Sequence, residues 1–174
     1  DDFQGGRLAT EHLVKLGRKR VAHVTGPERF EAVRQRREAW RKTLEERGLE
    51  VPLSFAMSGA WSEAWGHEAV QRLLSKKVKP DAIFCGSDQI ARGVADALRE
   101  HGVRVPDDIA LVGYDNWEII AAATRPSLTT VDMNIRELGR QAALQLLSLI
   151  DGQSHQGIQH LPCSLVVRDS CGEK

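Results

Sequence analysis

The stretch "VPDDIALVGYDN", residues 105–116, decides how the fold of this chain is interpreted. At its centre, residues 109–112 read Ile-Ala-Leu-Val, so four apolar side chains follow one another. A run that is apolar on both faces is typical of a strand buried inside a parallel sheet. After one glycine the stretch continues with Tyr114, Asp115 and Asn116. A strand suited to the core therefore brings hydrogen-bonding groups to its carboxyl end.

The rest of the chain alternates between similar apolar runs and amphipathic helical patterns. Strands are predicted in six places: 20–26, 54–57, 81–87, 108–115, 127–133 and 164–169. Helices are predicted in five places: 5–17, 31–48, 62–76, 88–102 and 135–152. Strands that alternate with helices of this length predict an α/β lobe with a mostly parallel sheet and helices on both faces.

Composition and charge restrict what the chain can bind. Its 174 residues carry 24 basic and 24 acidic side chains, so the formal net charge is zero and argues against strong nucleic-acid binding. No apolar run approaches the roughly 20 residues that a membrane-spanning helix needs.

The three cysteines, Cys85, Cys163 and Cys171, have no metal-ligand spacing, and an odd cysteine count favours a reducing compartment, here the cytoplasm. Because the chain begins without methionine, it could be a fragment of a longer protein.

Polar residues follow two of the predicted strands directly. In an open parallel sheet, ligands bind beyond the carboxyl ends of the strands. The strand 81–87 ends in Ser87, before Asp88 and Gln89, and the strand 108–115 ends in Tyr114 and Asp115. These residues therefore predict a ligand site at this edge of the sheet.

Each of these residues also has a purely structural interpretation. Ser87 or Asp88 could cap the helix 88–102, since both residue types are favoured at helix N-termini. Asp115 could be an ordinary turn residue. Tyr114 could belong to the core with its hydroxyl group satisfied. The residue types alone leave these alternatives open.

Two arginines and one tryptophan are further candidates. Arg36 and Arg37 both lie near the apolar stripe of the helix 31–48. An arginine in this position either extends into solvent or binds an anionic or hydroxylated ligand, and helical spacing does not choose. Trp61 follows a weak strand, where an indole could stack on a sugar face or fill the core.

Motifs typical of enzymes are missing from the sequence. It contains no G-x-S-x-G, no phosphate-binding loop, no H-x-x-x-H and no C-x-x-C. We therefore expect no catalytic residues, no metal and no cofactor, and the chain is not expected to be an enzyme.

Four long stretches together resemble the effector-binding domain of lac-repressor-family transcriptional regulators. They cover nearly the whole chain: "GGRLATEHLVKLGRKRVAHVTGP" (5–27), "DAIFCGSDQIARGVADALREHGVRVPDDIALVGYDNWE" (81–118), "PSLTTVDMNIRELGRQAALQLLSLIDG" (126–152) and "LPCSLVVRDS" (161–170). The resemblance implies the type I periplasmic-binding-protein-like fold, in which two α/β lobes joined by three crossovers hold the effector between them. It also implies a homodimeric repressor that responds to a sugar or related polar metabolite. The alternative is a periplasmic sugar-binding or chemoreceptor protein of the same fold.

By this resemblance, the chain holds one lobe and part of another. Residues 1–131 and 161–174 would form the carboxy-terminal lobe, and residues 132–160 would be an excursion that belongs to the amino-terminal lobe. Most of the amino-terminal lobe and the helix-turn-helix domain that contacts operator DNA lie outside this sequence. The excursion carries an apolar stripe without its usual cover, so self-association is expected. The stripe consists of Leu138, Ala142, Leu146 and Leu149.

The resemblance also implies roles for individual residues. Arg36, four residues before an aromatic residue, matches the family's effector-binding arginine, and Trp61 matches the aromatic wall of sugar-responsive members. Asp115 matches the carboxylate that accepts hydroxyl or amine donors of the effector. Ala32 departs from the family, which sometimes has a polar contact there, and leaves the effector's identity open. The predicted effector-binding residues are Arg36, Trp61, Ser87, Gln89, Tyr114 and Asp115.

Overall fold

Six strands form one mixed sheet in the computed structural model, which describes residues 1–154 and 156–172. The strands in chain order are β1 Val21–Thr25, β2 Ala56–Ser58, β3 Ala82–Cys85, β4 Ala110–Tyr114, β5 Thr129–Asp132 and β6 Ser164–Val166. Their order across the sheet is β2-β1-β3-β4-β5-β6, and all pairs are parallel except β5 with β6. The predicted fold class is confirmed. Three residues of the predicted segments lie outside the described residues: His155, Glu173 and Lys174.

Helices connect the strands and cover the sheet. They are α1 Asp2–Lys15, α2 Glu31–Glu46, α3 Glu63–Leu74, α4 Asp88–Glu100, α5 Glu118–Ala121 and α6 Ile135–Ile150. The short α5 was not predicted, and α1 begins three residues earlier than the sequence pattern indicated. The early start has a local cause, because the Asp1 side chain accepts a hydrogen bond from the Gln4 backbone N–H and so caps the helix.

The chain reverses its direction across the sheet between β1 and β3. It moves outward from β1 through α2 to β2, and then returns past β1 through α3 to β3. Because crossovers between parallel strands are right-handed, this reversal places α2 and α3 on opposite faces of the sheet. It also creates a switch point between β1 and β3, beside which open α/β sheets bind ligands.

The three central strands form the core. Every residue of β1, β3 and β4 is buried, as the apolar runs predicted. Trp40, on α2, is also fully buried, and its indole N–H donates to the Val21 carbonyl oxygen at 3.1 Å. The rigid central strands therefore fix the positions of the residues that follow them.

Helix α6 differs from the other long helices because none of its residues is buried. Leu138, Leu146 and Leu149 are each about half exposed, at 50%, 59% and 49%. The predicted stripe is thus uncovered, while the assignment of residues 132–160 to a second lobe stays a prediction. Within the described ranges, no helix combines the length and apolar character needed to cross a membrane.

Candidate effector-binding site

A cavity of about 250 Å³ lies at the carboxyl edge of the sheet, beside the switch point. It is lined by Phe30, Ala32, Arg36, Trp61, Ser87, Gln89, Asp115 and Trp117. Five of the six predicted site residues are therefore brought together, although they come from four separate segments of the chain. A second cavity of about 580 Å³ shares Asp115 and Trp117 with the first and extends along residues 132–136.

Arg36 is held firmly at the base of the cavity. Its side chain is only 6% exposed, and its Nε and Nη2 donate to Asp2 Oδ1 at 2.9 and 2.7 Å. Nη1 donates to the Gly86 carbonyl oxygen at 2.6 Å, and the guanidinium lies 3.6 Å from the centre of the Tyr114 ring. Arg37 instead donates to Glu28 Oε1 at 2.6 Å. The structure thus separates the two arginines that helical spacing could not separate.

Asp115 lies in the turn that follows β4, in an unusual backbone conformation. Its φ is 114°, a region that residues other than glycine rarely occupy, and its N–H donates to the Val131 carbonyl oxygen at 2.8 Å. Burial raises the pKa of its carboxyl group to about 7, against the opposing charge of Arg36 and with a further increase from Asp88. Asp115 is therefore both a turn residue and part of the cavity wall. Backbone strain of this kind is concentrated at functional sites.

Ser87 and Asp88 have different roles at the start of α4. Ser87 Oγ accepts a hydrogen bond from the Ile90 N–H at 3.2 Å, so Ser87 caps the helix and also lines the cavity. The interpretation of Asp88 as the cap is wrong. Its buried carboxylate accepts from the Trp117 N–H at 2.7 Å and from the Thr130 hydroxyl at 2.5 Å, and burial raises its pKa to about 6.

Tyr114 is the predicted site residue that does not reach the cavity. Its side chain is fully buried, and its hydroxyl group donates to Asp2 Oδ1 at 3.3 Å. Gly5 permits this position, because a Cβ atom there would collide with the phenol ring. The core alternative thus describes its side chain, whose buried ring contacts the Arg36 guanidinium.

Aromatic residues line the cavity beyond what the sequence predicted. Phe30 and Trp61 have ring centroids 6.1 Å apart, and Trp117 is 58% exposed as a residue. Trp61 is itself half-buried against Gly26, so it fills space and lines the cavity at once. Trp117 lies three residues after β4, so the strand-end argument that selected Asp115 would have found it. Phe30 is the N-cap residue of α2, five residues after β1, and had no such signal.

The polar groups of this cavity are suited to a small organic ligand. Among the residues that the structure describes, no cluster of three or more histidine, cysteine, aspartate or glutamate side chains could hold a metal. One carboxylate, one guanidinium, a hydroxyl, an amide and aromatic faces can bind a small molecule that has hydroxyl groups on an apolar ring.

A mostly parallel sheet with helices on both faces and a cavity at its switch point defines the class of the chain as an open α/β fold. Residues 10–171 match the family model described as a periplasmic binding protein-like domain. The chain belongs to this family.

The relatives confirm the resemblance to lac-repressor-family regulators. HTH-type transcriptional repressor PurR of Haemophilus influenzae (strain PittEE) is 37% identical over 157 residues, which are 90% of this chain and 46% of that protein. The solved complex of transcriptional regulator CelR with cellobiose is 32% identical, with a TM-score of 0.90 over 98% of this chain and 52% of the other. The lac repressor dimer bound to operator and the anti-inducer ONPF is 35% identical, with a TM-score of 0.88 over 98% and 58%. The chain spans about half the length of the curated relatives it matches.

Proposed function

We propose that this chain is the effector-sensing part of a bacterial transcriptional repressor, and that the cavity beside Asp115 binds a sugar or a related polar metabolite. The observation that carries this proposal is the convergence of Arg36, Trp61 and Asp115 on one cavity at the switch point. The names of the relatives support it, since PurR is a repressor and CelR is bound to cellobiose.

The chemistry of the cavity favours a hydroxylated ring. The Asp115 carboxylate accepts hydrogen bonds, whereas Arg36 only donates. Four contacts to Asp2, Gly86 and Met133 use four of the five N–H bonds of Arg36, which leaves one Nη1–H for a ligand. Trp61 and Phe30 supply apolar faces on which a sugar ring packs.

Effector binding would regulate the protein through its differential affinity for two arrangements of the lobes. Contact with operator DNA would be made by a helix-turn-helix domain outside this sequence, in a homodimer that presents two copies to two half-sites. On this proposal the protein acts in the cytoplasm and performs no catalysis. A periplasmic sugar carrier is disfavoured, because PurR, the CelR–cellobiose complex and the operator-bound lac repressor are transcriptional regulators.

The test is calorimetric titration of the full-length protein with a panel of monosaccharides, disaccharides, their phosphates and free nucleobases. For the compound that binds, Arg36→Ala should weaken binding about 30-fold or more, because removing one charged partner from a desolvated site typically costs about 2–5 kcal/mol. Arg37→Ala is the matched control on the same helix and should change the dissociation constant less than about twofold. Equal affinities in wild type and Arg36→Ala would contradict the site assignment.

A further inference from the structure

The turn that carries Asp115 contains two consecutive residues with positive φ. Asp115 has φ 114° and Asn116 has φ 49°, and neither is glycine. Asparagine adopts the left-handed region more readily than most residues, but a φ of 114° is strained for aspartate and persists only where neighbouring groups hold it. The position of the Asp115 carboxylate in the cavity therefore depends on the contacts that hold this turn.

The Asn116 side chain supplies two of these contacts. Its Nδ2 donates to Asp132 Oδ2 at 3.0 Å, and its Oδ1 accepts from Arg168 Nη2 at 2.9 Å. The Asn116 backbone N–H also donates to Thr130 Oγ1 at 3.3 Å. Because both polar atoms of the amide are engaged, the side chain is fixed in one orientation, and with it the backbone that follows Asp115.

Arg168 is well placed to hold the amide. It lies two residues after β6, and its Nη1 donates to the Leu128 carbonyl oxygen at 2.9 Å. Its backbone N–H donates to Thr129 Oγ1 at 2.9 Å. The guanidinium is therefore bonded through Nη1 to the residue before β5 and through Nη2 to Asn116, and Arg168 does not line the cavity.

We propose that Arg168 is a positioning residue for Asp115 and acts through the side chain of Asn116. This inference rests on the proposed function, because the purpose of the position is effector binding. Without Arg168, the Asn116 amide loses the donor to its oxygen, and the strained turn relaxes towards ordinary backbone conformations. The Asp115 carboxylate then leaves the desolvated cavity wall for part of the time.

A simpler role for Arg168 would be to attach the segment after β6 to β5 through Leu128 and Thr129. The two roles differ in their coupling to Asn116. Asn116→Gly removes the amide and adds no strain at position 116, but the strained φ of 114° at Asp115 remains and then lacks the contacts that hold it. If Arg168 acts through the amide, Arg168→Gln has no further effect on Asp115 in the Asn116→Gly protein. If Arg168 only attaches the segment, the effects of the two substitutions add.

The first measurement needs no ligand. The pKa of Asp115 is followed by carboxyl-carbon NMR titration in the ligand-free full-length protein, in wild type, Arg168→Gln, Asn116→Gly and the double variant. We expect the raised value of about 7 to fall towards the ordinary 3.8 in all three variants, by the same amount in the double variant as in Asn116→Gly. Arg125→Gln, which removes an exposed guanidinium bonded to the carbonyl oxygens of Ala122 and Thr124, is the control and should leave the value unchanged.

An unchanged pKa in Arg168→Gln and Asn116→Gly, or additive shifts in the double variant, would overturn the proposal. If Arg168→Gln does not fold, Arg168→Lys is used instead. Lysine keeps the positive charge but lacks the planar set of N–H donors, so the pKa of Asp115 should fall only partly. A second measurement titrates the same proteins with cellobiose, where Arg168→Gln should weaken any wild-type binding about 10-fold. The sugars, sugar phosphates and nucleobases of the calorimetric panel can also be titrated into Asp115→Ala. If the pKa of Asp115 shifts as expected but no compound binds wild type more tightly than Asp115→Ala, the proposed function fails while the positioning role holds.

Discussion

Helices α4 and α6 have the same kind of sequence pattern and opposite environments. The two helices have 13 and 16 residues, and both place leucines and other apolar residues at helical spacing. In α4, Ile90, Val94 and Leu98 are completely buried, whereas none of the 16 residues of α6 is buried. Helical periodicity therefore specifies the helix and its apolar face, but it does not specify what covers that face.

The largest expected effect is the loss of a leucine from α4. Leu98→Ala should lower the free energy of unfolding by about 3 kcal/mol, because it removes a fully buried side chain and leaves a cavity. Leu146→Ala, the matched change in α6, should alter it by less than about 0.5 kcal/mol in this chain, since the side chain is 59% exposed. Urea unfolding of both variants measures the difference. Equal losses would mean that α6 is covered in solution, by a second copy or by another part of the protein.

One glycine in each helix gives a second comparison of the two environments. A Cβ atom on Gly93 of α4 would collide with the backbone of Glu63 on α3, so Gly93→Ala should destabilise the protein by about 1–3 kcal/mol. A Cβ atom on Gly139 of α6 would meet nothing within 4 Å, so Gly139→Ala should stabilise it by about 0.5–1 kcal/mol through helix propensity. Thermal unfolding shows whether each substitution raises or lowers the stability of the protein. A stabilising Gly93→Ala would show that α3 and α4 pack less closely than the contact between Gly93 and Glu63 implies.

The acidic residues in the first turns of the two helices should respond oppositely to pH. Burial raises the pKa of Asp88 in α4 to about 6, whereas hydrogen bonds from Arg140 and Gln141 lower the pKa of Glu137 in α6 to about 2. Folded Asp88 keeps its proton at pH values where the unfolded carboxyl group, with a pKa of 3.8, has lost it. Its contribution to stability therefore falls as the pH rises from about 4 to about 6. The contribution of Glu137 is present above about 4.5 and is lost as the pH falls towards about 2.

Unfolding experiments from pH 3 to pH 8 separate these two contributions. Asp88→Asn should reduce the decline in stability between about pH 4 and 6, by roughly 1–2 kcal/mol over that range. Glu137→Gln should reduce the loss of stability as the pH falls below about 4.5, and it should leave the pH dependence of stability near neutral pH unchanged. The same slope in wild type and Asp88→Asn would show that Asp88 is ionised without penalty in the folded state.

The sequence predicted the strands and long helices because each has a local signal. The apolar run 109–112 marks a doubly buried strand, and the glycines after the helices mark their ends. The early start of α1 had a local signal as well, in the capping side chain of Asp1. The uncovered face of α6 had none, because burial depends on residues distant in sequence or outside it.

The site was predictable to the extent that it lies at strand ends. Asp115 and Ser87 lie within two residues of a strand end, Gln89 lies in the first turn of α4, and all three line one cavity. Tyr114 occupies a similar position in sequence, but its side chain points to the face covered by α1, where Gly5 leaves room for it. On our proposal, the turn conformation that places Asp115 at the cavity depends on the hydrogen bond between Asn116 and the distant Arg168. No local sequence pattern predicts a contact between residues so far apart in the chain.

The most direct test of the cavity is the pH dependence of ligand affinity. The full-length protein is titrated between pH 6 and pH 8 with the sugar that binds it best, in wild type and in Asp115→Asn. Because the Asp115 carboxyl group has a pKa of about 7 and its ionised form is the stronger acceptor, wild-type affinity should rise severalfold across this range. Asp115→Asn should bind more weakly and show no such rise. Equal affinity and equal pH dependence in the two proteins would contradict the assignment of this cavity as the effector site.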